Sequence, residues 1–112
     1  MSTAIAGRLK QIQSKAGVTA KEVSRLLKTS QETVSRWNTG KTEPQPRNRD
    51  DILRLEWLVS ELAELYPPQE AKLWLFSPHK LLNGETPADA IANDRMEEVL
   101  TIIAQLKDGA YI

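Results

Sequence analysis

Four side chains within six residues have the chemistry to read the edges of nucleic-acid bases. Gln31 offers an amide, Thr33 and Ser35 offer hydroxyls, and Arg36 offers a guanidinium group. Such groups hydrogen-bond to base edges in the major groove of DNA. A solvated helix face carries the same kinds of residue, so residue type alone leaves both interpretations open.

Two short helices joined by a tight turn are predicted to position these side chains. Thr19 and Glu22 have the spacing of a capping box, which begins the first helix. Ser30 is placed to cap the second helix, in which Val34 and Trp37 face inward. The four polar residues would then lie on the outward face of the second helix.

The stretch SQETVSRWNTGKTEP, which begins at Ser30, resembles the recognition-helix region of the Xre/Cro repressor family. The resemblance implies a helix-turn-helix that binds operator DNA. Three residues depart from the family pattern: Lys28 replaces a usual glycine in the turn, Thr29 replaces an aliphatic residue, and Glu32 adds a negative charge. These departures keep open a second interpretation, in which the helix pair is only a scaffold.

The segment after the second helix, KTEPQPRNR, contains two prolines and three basic residues. Proline disfavours the helix interior, so we expect a poor helix here. Lys41, Arg47 and Arg49 are the candidate contacts to DNA phosphates. A solvated linker is the alternative interpretation of the same segment.

Charge is divided unequally along the chain. Residues 1–49 contain ten Lys or Arg and three Glu, a net charge of +7, whereas residues 50–112 contain five Lys or Arg and twelve Asp or Glu, a net charge of −7. A basic segment favours an anionic partner such as DNA. We therefore expect the two halves to bind different partners.

The composition argues against an enzyme. The chain has no cysteine, a single histidine and no glycine-rich phosphate loop, so we predict no catalytic residue, no metal site and no cofactor. No apolar run is long enough to cross a membrane, and the apolar patch near the N-terminus is too short for a secretory signal. A cytoplasmic protein without a membrane partner is expected.

Helical periodicity runs through the whole chain and predicts an all-α helical bundle. A first helix spans Ala4 to Lys15, and a long helix carries a wide apolar stripe from Ile52 to Tyr66. That stripe is typical of a core, although two-fold repressors also pair through such surfaces, so a homodimer is a further prediction.

Proline and capping residues divide the remainder into shorter helices. The segment Pro68 to Phe76 is predicted to be helical and to bury Leu73, Trp74 or Phe76, with Ser77-Pro78 capping and opening the next helix. Leu81 and Leu82 would anchor that element before the turn at Asn83-Gly84. Thr86-Pro87 and Asp94 are predicted to start the last two helices, and Gly109 to end the final one.

The segment LWLFSPHKLLNGETPADAIANDRMEEVLTIIAQLKDGAYI, which begins at Leu73, resembles the C-terminal toxin-binding domain of the Xre/MbcA/ParS antitoxin family. The resemblance implies an antitoxin with two parts: a helix-turn-helix DNA-binding domain in residues 1–60 and a toxin-binding domain in residues 61–112. The implied partner is a RES-domain toxin, an enzyme that destroys NAD, within a hetero-oligomer that also contains an antitoxin homodimer.

The same resemblance implies where the toxin binds. The C-terminal residues would lie over the toxin active site and exclude the dinucleotide, and a loop before the last two helices is a second candidate contact. The implied contacts are Gly109, Ala110, Tyr111 and Ile112 in the tail, and Ser77, Leu81, Asn83 and Gly84 in the loop. Composition alone favours a tail that folds back onto its own core.

Other functions remain compatible with the residues. One is a stand-alone dimeric Xre-type repressor, which would bind DNA and sense a small ligand, although no polar residues converge to form its pocket. Another is a toxin-binding protein whose helix-turn-helix no longer binds DNA. An enzyme is the weakest alternative, for want of a catalytic constellation.

Overall fold

The structure is a computed structural model that describes residues 3–109. Within this range the chain forms seven α-helices, one short 3-10 helix and no strand, which confirms the predicted all-α fold. The elements in chain order are α1 (Thr3–Ala16), α2 (Ala20–Leu26), α3 (Gln31–Thr39), α4 (Pro46–Ala63), α5 (Pro68–Leu75), the 3-10 helix (Lys80–Leu82), α6 (Pro87–Ala92) and α7 (Met96–Lys107).

One hydrophobic core joins all seven helices. The long helix α4 contributes the largest share of fully buried residues, and its apolar stripe packs against α1 on one side and α7 on the other. The buried residues of α4 are Ile52, Leu55, Leu58, Val59 and Leu62. The domain boundary predicted after residue 60 lies inside this helix, and residues on both sides of the boundary belong to the same core.

The predicted caps of α2 and α3 are confirmed. The backbone N–H of Thr19 donates to Oε1 of Glu22 at 2.9 Å, and the backbone N–H of Glu22 donates to Oγ1 of Thr19 at 3.2 Å. Ser30 Oγ accepts the backbone N–H of Thr33 at 3.0 Å. These side chains satisfy N–H groups that have no partner within their own helices.

The turn between α2 and α3 forces Lys28 into the left-handed region, with φ 54°. The N–H of Lys28 donates to the carbonyl of Arg25 at 3.2 Å, and the N–H of Thr29 donates to that of Ser24 at 2.9 Å. This is a Schellman arrangement, which ends a helix with one left-handed residue, a conformation that favours glycine. The lysine therefore occupies the position where the resembled family has glycine.

Asp94 does not cap α7, which corrects the sequence prediction. Asp94 has φ 61°, its N–H donates to the carbonyl of Ile91, and the N–H of Arg95 donates to that of Ala90 at 2.8 Å. The same Schellman geometry assigns Asp94 to the end of α6. Arg95 precedes α7 without a side-chain cap.

The prediction of a poor helix over residues 41–49 is wrong for its second half. Pro46 is the first residue of α4, so Arg47 and Arg49 lie in the first helical turn. Proline is well tolerated there, since its missing N–H would have no intrahelical partner and its φ already suits a helix. Only residues 41–45 form the irregular connection.

Of the two predictions around α5, one is confirmed in part and the other is wrong. Trp74 and Phe76 are partly buried and pack against the core, whereas Leu73 is 68 % exposed. The fully buried residues of this helix are Ala71 and Leu75. Ser77 does not cap the following element, because its hydroxyl donates to the carbonyl of Leu73 at 2.6 Å and so completes the end of α5. His79 caps the 3-10 helix instead, with Nδ1 accepting the N–H of Leu81 at 3.2 Å.

Candidate functional site

The outward face of α3 presents most of the predicted base-reading residues to solvent. Gln31, Ser35 and Arg36 are exposed, whereas Val34 and Trp37 are buried, as the sequence predicted. Thr33 is half-buried, and its hydroxyl lies 2.7 Å from that of Ser30. Thr33 is therefore engaged at the helix start and is a weaker candidate for a base contact.

Arg36 already has an acidic neighbour on its own helix. Its Nη2 lies 3.3 Å from Oε2 of Glu32, one turn earlier, and both side chains are more than half exposed. An exposed pair at this spacing contributes only about 0.3 to 0.5 kcal/mol. A DNA phosphate or base could displace Glu32 from Arg36. Until then the Glu32 carboxylate places a negative charge beside the Arg36 guanidinium.

Of the three candidate phosphate contacts, Arg47 lines a cleft that Lys41 and Arg49 do not line. Lys41 is exposed directly after α3, and Arg49 Nη2 lies 3.2 Å from Oε1 of Glu43. Arg47 lines a cleft of about 360 Å³ between the α2–α3 turn, the start of α4 and the α6–α7 connection. Lys28 lines the same cleft. No sequence pattern predicts that Lys28 and Arg47 lie together, because they belong to separate turns.

Charges of both signs surround that cleft. Its cationic residues are Lys28, Arg47 and Arg54, while Asp51 and Asp94 supply carboxylates. Arg54 Nη2 also lies 3.8 Å from Oε2 of Glu97. The cleft is thus a mixed-charge surface adjoining the α2–α3 pair.

The loop between α5 and α6 forms a second, separate candidate surface. His79 organises the loop: its carbonyl accepts the N–H groups of Leu82 and Gly84, each at 3.0 Å, and its ring packs edge-on to Trp74 at a centroid distance of 5.6 Å. Asn83 and Gly84 adopt φ values of 57° and 87°, which turn the chain as predicted. The loop is a defined structure held by its own hydrogen bonds.

Apolar side chains are exposed on and beside this loop. Leu81 is 47 % exposed and does not anchor the 3-10 helix, a role that falls to the buried Leu82. Leu81 and Leu82 line a shallow groove of about 310 Å³ against Ile102 of α7. Leu73, one of the three residues that the sequence offered for burial in α5, adds a further exposed leucine in that helix.

The end of α7 has the predicted break. Gly109 has φ 78°, a left-handed value that stops the helix one residue after its C-cap, Asp108. Ala110, Tyr111 and Ile112, the remaining candidate toxin contacts, lie outside the described residues.

The α2–α3 pair is tied to the C-terminal half by ion pairs. Lys72 of α5 lies 3.3 Å from Oε2 of Glu22, the carboxylate that also completes the capping box of α2. The hydrogen bond from the Thr19 backbone and the contact with Lys72 together hold the pKa of Glu22 below its ordinary value of 4.5. The start of α2 is therefore fixed partly by a residue of α5.

Residues 3–109 contain no group of three or more His, Asp or Glu side chains arranged to hold a metal ion. None of the helices in this range is both long and apolar enough to cross a membrane.

Comparisons with known proteins cover the full length of the chain. No protein-family profile matches it. The mycobacterial cidal antitoxins MbcA of Mycobacterium tuberculosis and of Mycobacterium bovis are each 29 % identical over 112 residues, which span 100 % of this chain and 96 % of the relative. A probable mycobacterial cidal antitoxin of M. tuberculosis is 33 % identical over 96 residues, covering 86 % of this chain and 82 % of the relative.

A solved structure agrees with the sequence relatives. A chain in the crystal structure of the M. tuberculosis MbcT–MbcA toxin–antitoxin complex superposes with a TM-score of 0.80 at 29 % identity, covering 99 % of this chain and 96 % of that one. Both the fold and its full length are shared. The chain therefore belongs to the family of MbcA-type antitoxins, the antitoxin members of toxin–antitoxin systems.

Proposed function

We propose that this chain neutralises a RES-domain toxin that degrades NAD, and that it does so by covering the toxin active site with its C-terminal residues. The observation that carries the proposal is the match, over 99 % of the chain, to a structure of an antitoxin complex. The left-handed Gly109 supports it, because this conformation ends α7 before the proposed contact residues begin.

The tail has the chemistry to enter a dinucleotide site. Tyr111 supplies an aromatic ring of the kind that fills interface pockets. The exposed Leu81 and the loop around Asn83 and Gly84 would supply a second contact to the same toxin.

Co-expression with the gene beside it tests this proposal. A tagged chain should co-purify with a partner, and the complex should not consume NAD. Deleting Ala110 to Ile112 should restore NAD consumption, whereas the control substitution Gln11→Ala, on the exposed face of α1, should leave the partner inactive. A deletion variant that still neutralises the toxin fully would overturn active-site occlusion by the tail.

DNA binding by α2 and α3 is a second candidate function, favoured by the exposure of Gln31, Ser35 and Arg36 on one face of a capped helix. We infer that the pair acts as a helix-turn-helix that represses the promoter of its own operon. A gel shift on the upstream DNA tests this. If the DNA does not shift while the toxin complex is intact, the chain is a toxin-binding protein whose helix pair is only a scaffold. A shift without any co-purifying partner would favour a stand-alone repressor.

A further inference from the structure

The mixed-charge cleft between the α2–α3 turn, the start of α4 and the α6–α7 connection contains charged side chains that do not pair with each other. Within residues 3–109, the side chains of four of its charged residues form no hydrogen bond and no ion pair: Lys28, Arg47, Asp51 and Asp94. Arg47 and Asp51 lie one turn apart on α4, a spacing at which opposite charges commonly pair. Because they do not pair, both groups are available to a ligand in the cleft.

Two left-handed turns present charged side chains to this cleft. Lys28 has φ 54° and Asp94 has φ 61°, and Asn83 is the one other non-glycine residue in the range 3–109 with a positive φ. A lysine in this conformation costs free energy, and such costs are found mainly at functional sites and ligand clamps. Glycine would relieve the cost at position 28 but would remove the cation. The backbone at Lys28 therefore favours a role for its side chain.

The size and polarity of the cleft restrict its ligand. A volume of about 360 Å³ lies near the lower end of the range for small-molecule sites. The amide side chains of Gln45 and Asn48 line the cleft beside the charged groups. Apolar residues such as Leu26 and Ile91 also line it, but they are buried and offer little surface to a ligand. The ligand should therefore be small and strongly polar.

We propose that the cleft binds a phosphorylated ribose, as carried by a ribonucleoside monophosphate. Its cations, Lys28, Arg47 and Arg54, outnumber its two carboxylates and so favour an anionic ligand. Lysine and arginine are common partners of phosphate groups. The carboxylates of Asp51 and Asp94 would repel a bare phosphate, whereas ribose hydroxyls would donate hydrogen bonds to them. A sugar phosphate therefore satisfies charges of both signs.

The amide groups favour a nucleotide over a free sugar phosphate. Gln45 and Asn48 can each donate and accept hydrogen bonds, which is how such side chains contact base edges. The cleft is formed by segments from both halves of the chain, so a ligand within it would bridge the two halves. Since a ligand that binds only the folded chain stabilises it, the bound nucleotide should raise the Tm.

Isothermal titration calorimetry on the full chain, without toxin or DNA, tests this site independently of the proposed function. AMP and UMP are the probes, and at least one should bind with a Kd below about 1 mM and raise the Tm. Adenosine and uridine, which lack the phosphate, should bind about tenfold more weakly. Ribose 5-phosphate that binds as tightly as both nucleotides would support the site and identify a free sugar phosphate as the ligand. If neither nucleotide binds, or if inorganic phosphate binds as tightly as both, the proposal is overturned.

The variant Lys28→Gly separates binding from stability. It should raise the Tm of the free chain, because it relieves the left-handed backbone, yet weaken nucleotide binding about tenfold or more, because it removes a cation. Arg47→Gln should weaken binding to a similar extent. Lys10→Gln is the matched control, as it removes an exposed cation in α1 outside the cleft and should leave the affinity unchanged. Wild-type affinity in both Lys28→Gly and Arg47→Gln would show that the nucleotide does not bind in this cleft.

Discussion

Arg25 in α2 lies 3.1 Å from Asp89 in α6, measured from Nη2 to Oδ1, and joins residues that are 64 positions apart. The guanidinium of Arg25 also lies 5.5 Å from the centre of the Phe76 ring. One side chain of the α2–α3 pair thus contacts the segments on both sides of the loop that we propose as a toxin contact. This contact is a direct physical route by which the two surfaces could influence each other.

The contribution of this contact to stability should be small. Both side chains are about half exposed, so we expect a coupling free energy of about 0.5 kcal/mol between Arg25 and Asp89. A double-mutant cycle with Arg25→Gln and Asp89→Asn, followed by urea unfolding, measures it. A coupling above about 2 kcal/mol would mean that the pair is desolvated in solution, contrary to the structure.

The stability of the protein should fall in acid through Glu22. The pKa of Glu22 is lowered in the folded chain by the Thr19 backbone N–H and by Lys72. Its stabilising effect is complete above the ordinary value of 4.5 and is lost as the pH falls through the lower folded pKa, because the unfolded chain takes up the proton first.

Glu22→Gln should therefore lower the free energy of unfolding at pH 7 and match the wild type in strong acid. Unfolding in urea between about pH 7 and pH 2.5 measures the difference, the lower limit lying below the usual range of carboxyl pKa values. Glu70→Gln is the control, as it removes the same charge from an exposed site in α5. A constant difference between Glu22→Gln and the wild type across this range would contradict the assigned pKa shift.

Lys28→Gly should stabilise the protein. A side chain in the left-handed region costs about 1 to 2 kcal/mol, and the greater freedom of glycine in the unfolded chain offsets part of that gain, leaving about 0.5 to 1 kcal/mol. Thermal unfolding measures the gain. Lys28→Ala keeps the Cβ and removes the charge. A similar gain in stability in both variants would show that the change relieves repulsion of the Lys28 charge and not backbone strain.

Glu32→Gln should strengthen DNA binding if α3 is a recognition helix. The change removes a negative charge that pairs with Arg36. Two unit charges about 4 Å apart in water interact by about 1 kcal/mol, which corresponds to about fivefold in DNA affinity.

Arg36→Ala should weaken DNA binding by about 1 to 3 kcal/mol and relax specificity at one base pair. Fluorescence anisotropy at fixed salt measures both. Equal losses for Arg36→Ala on all DNA sequences would instead identify a phosphate contact.

The amino-acid sequence by itself determined the elements whose causes are local. Thr19, Ser30 and Thr86 are predictable as caps, because a short polar side chain can accept a hydrogen bond from the N–H three residues along the chain. The inward positions of Val34 and Trp37 followed from helical periodicity, which depends only on spacing. The family resemblance was likewise carried by short motifs in a fixed order.

Tertiary structure decided the features that depend on what surrounds a residue. Leu73 has the same chemistry as Leu75, yet only Leu75 meets the core, because α5 turns a single face toward α1. The residue type of Asp94 favours a helix cap, but its backbone N–H donates to the carbonyl of Ile91 and ends α6. Packing α4 between α1 and α7 left Trp57 exposed, and folding brought Arg25 to Asp89. Contacts between distant segments carry no periodic signal, so only the folded chain reveals them.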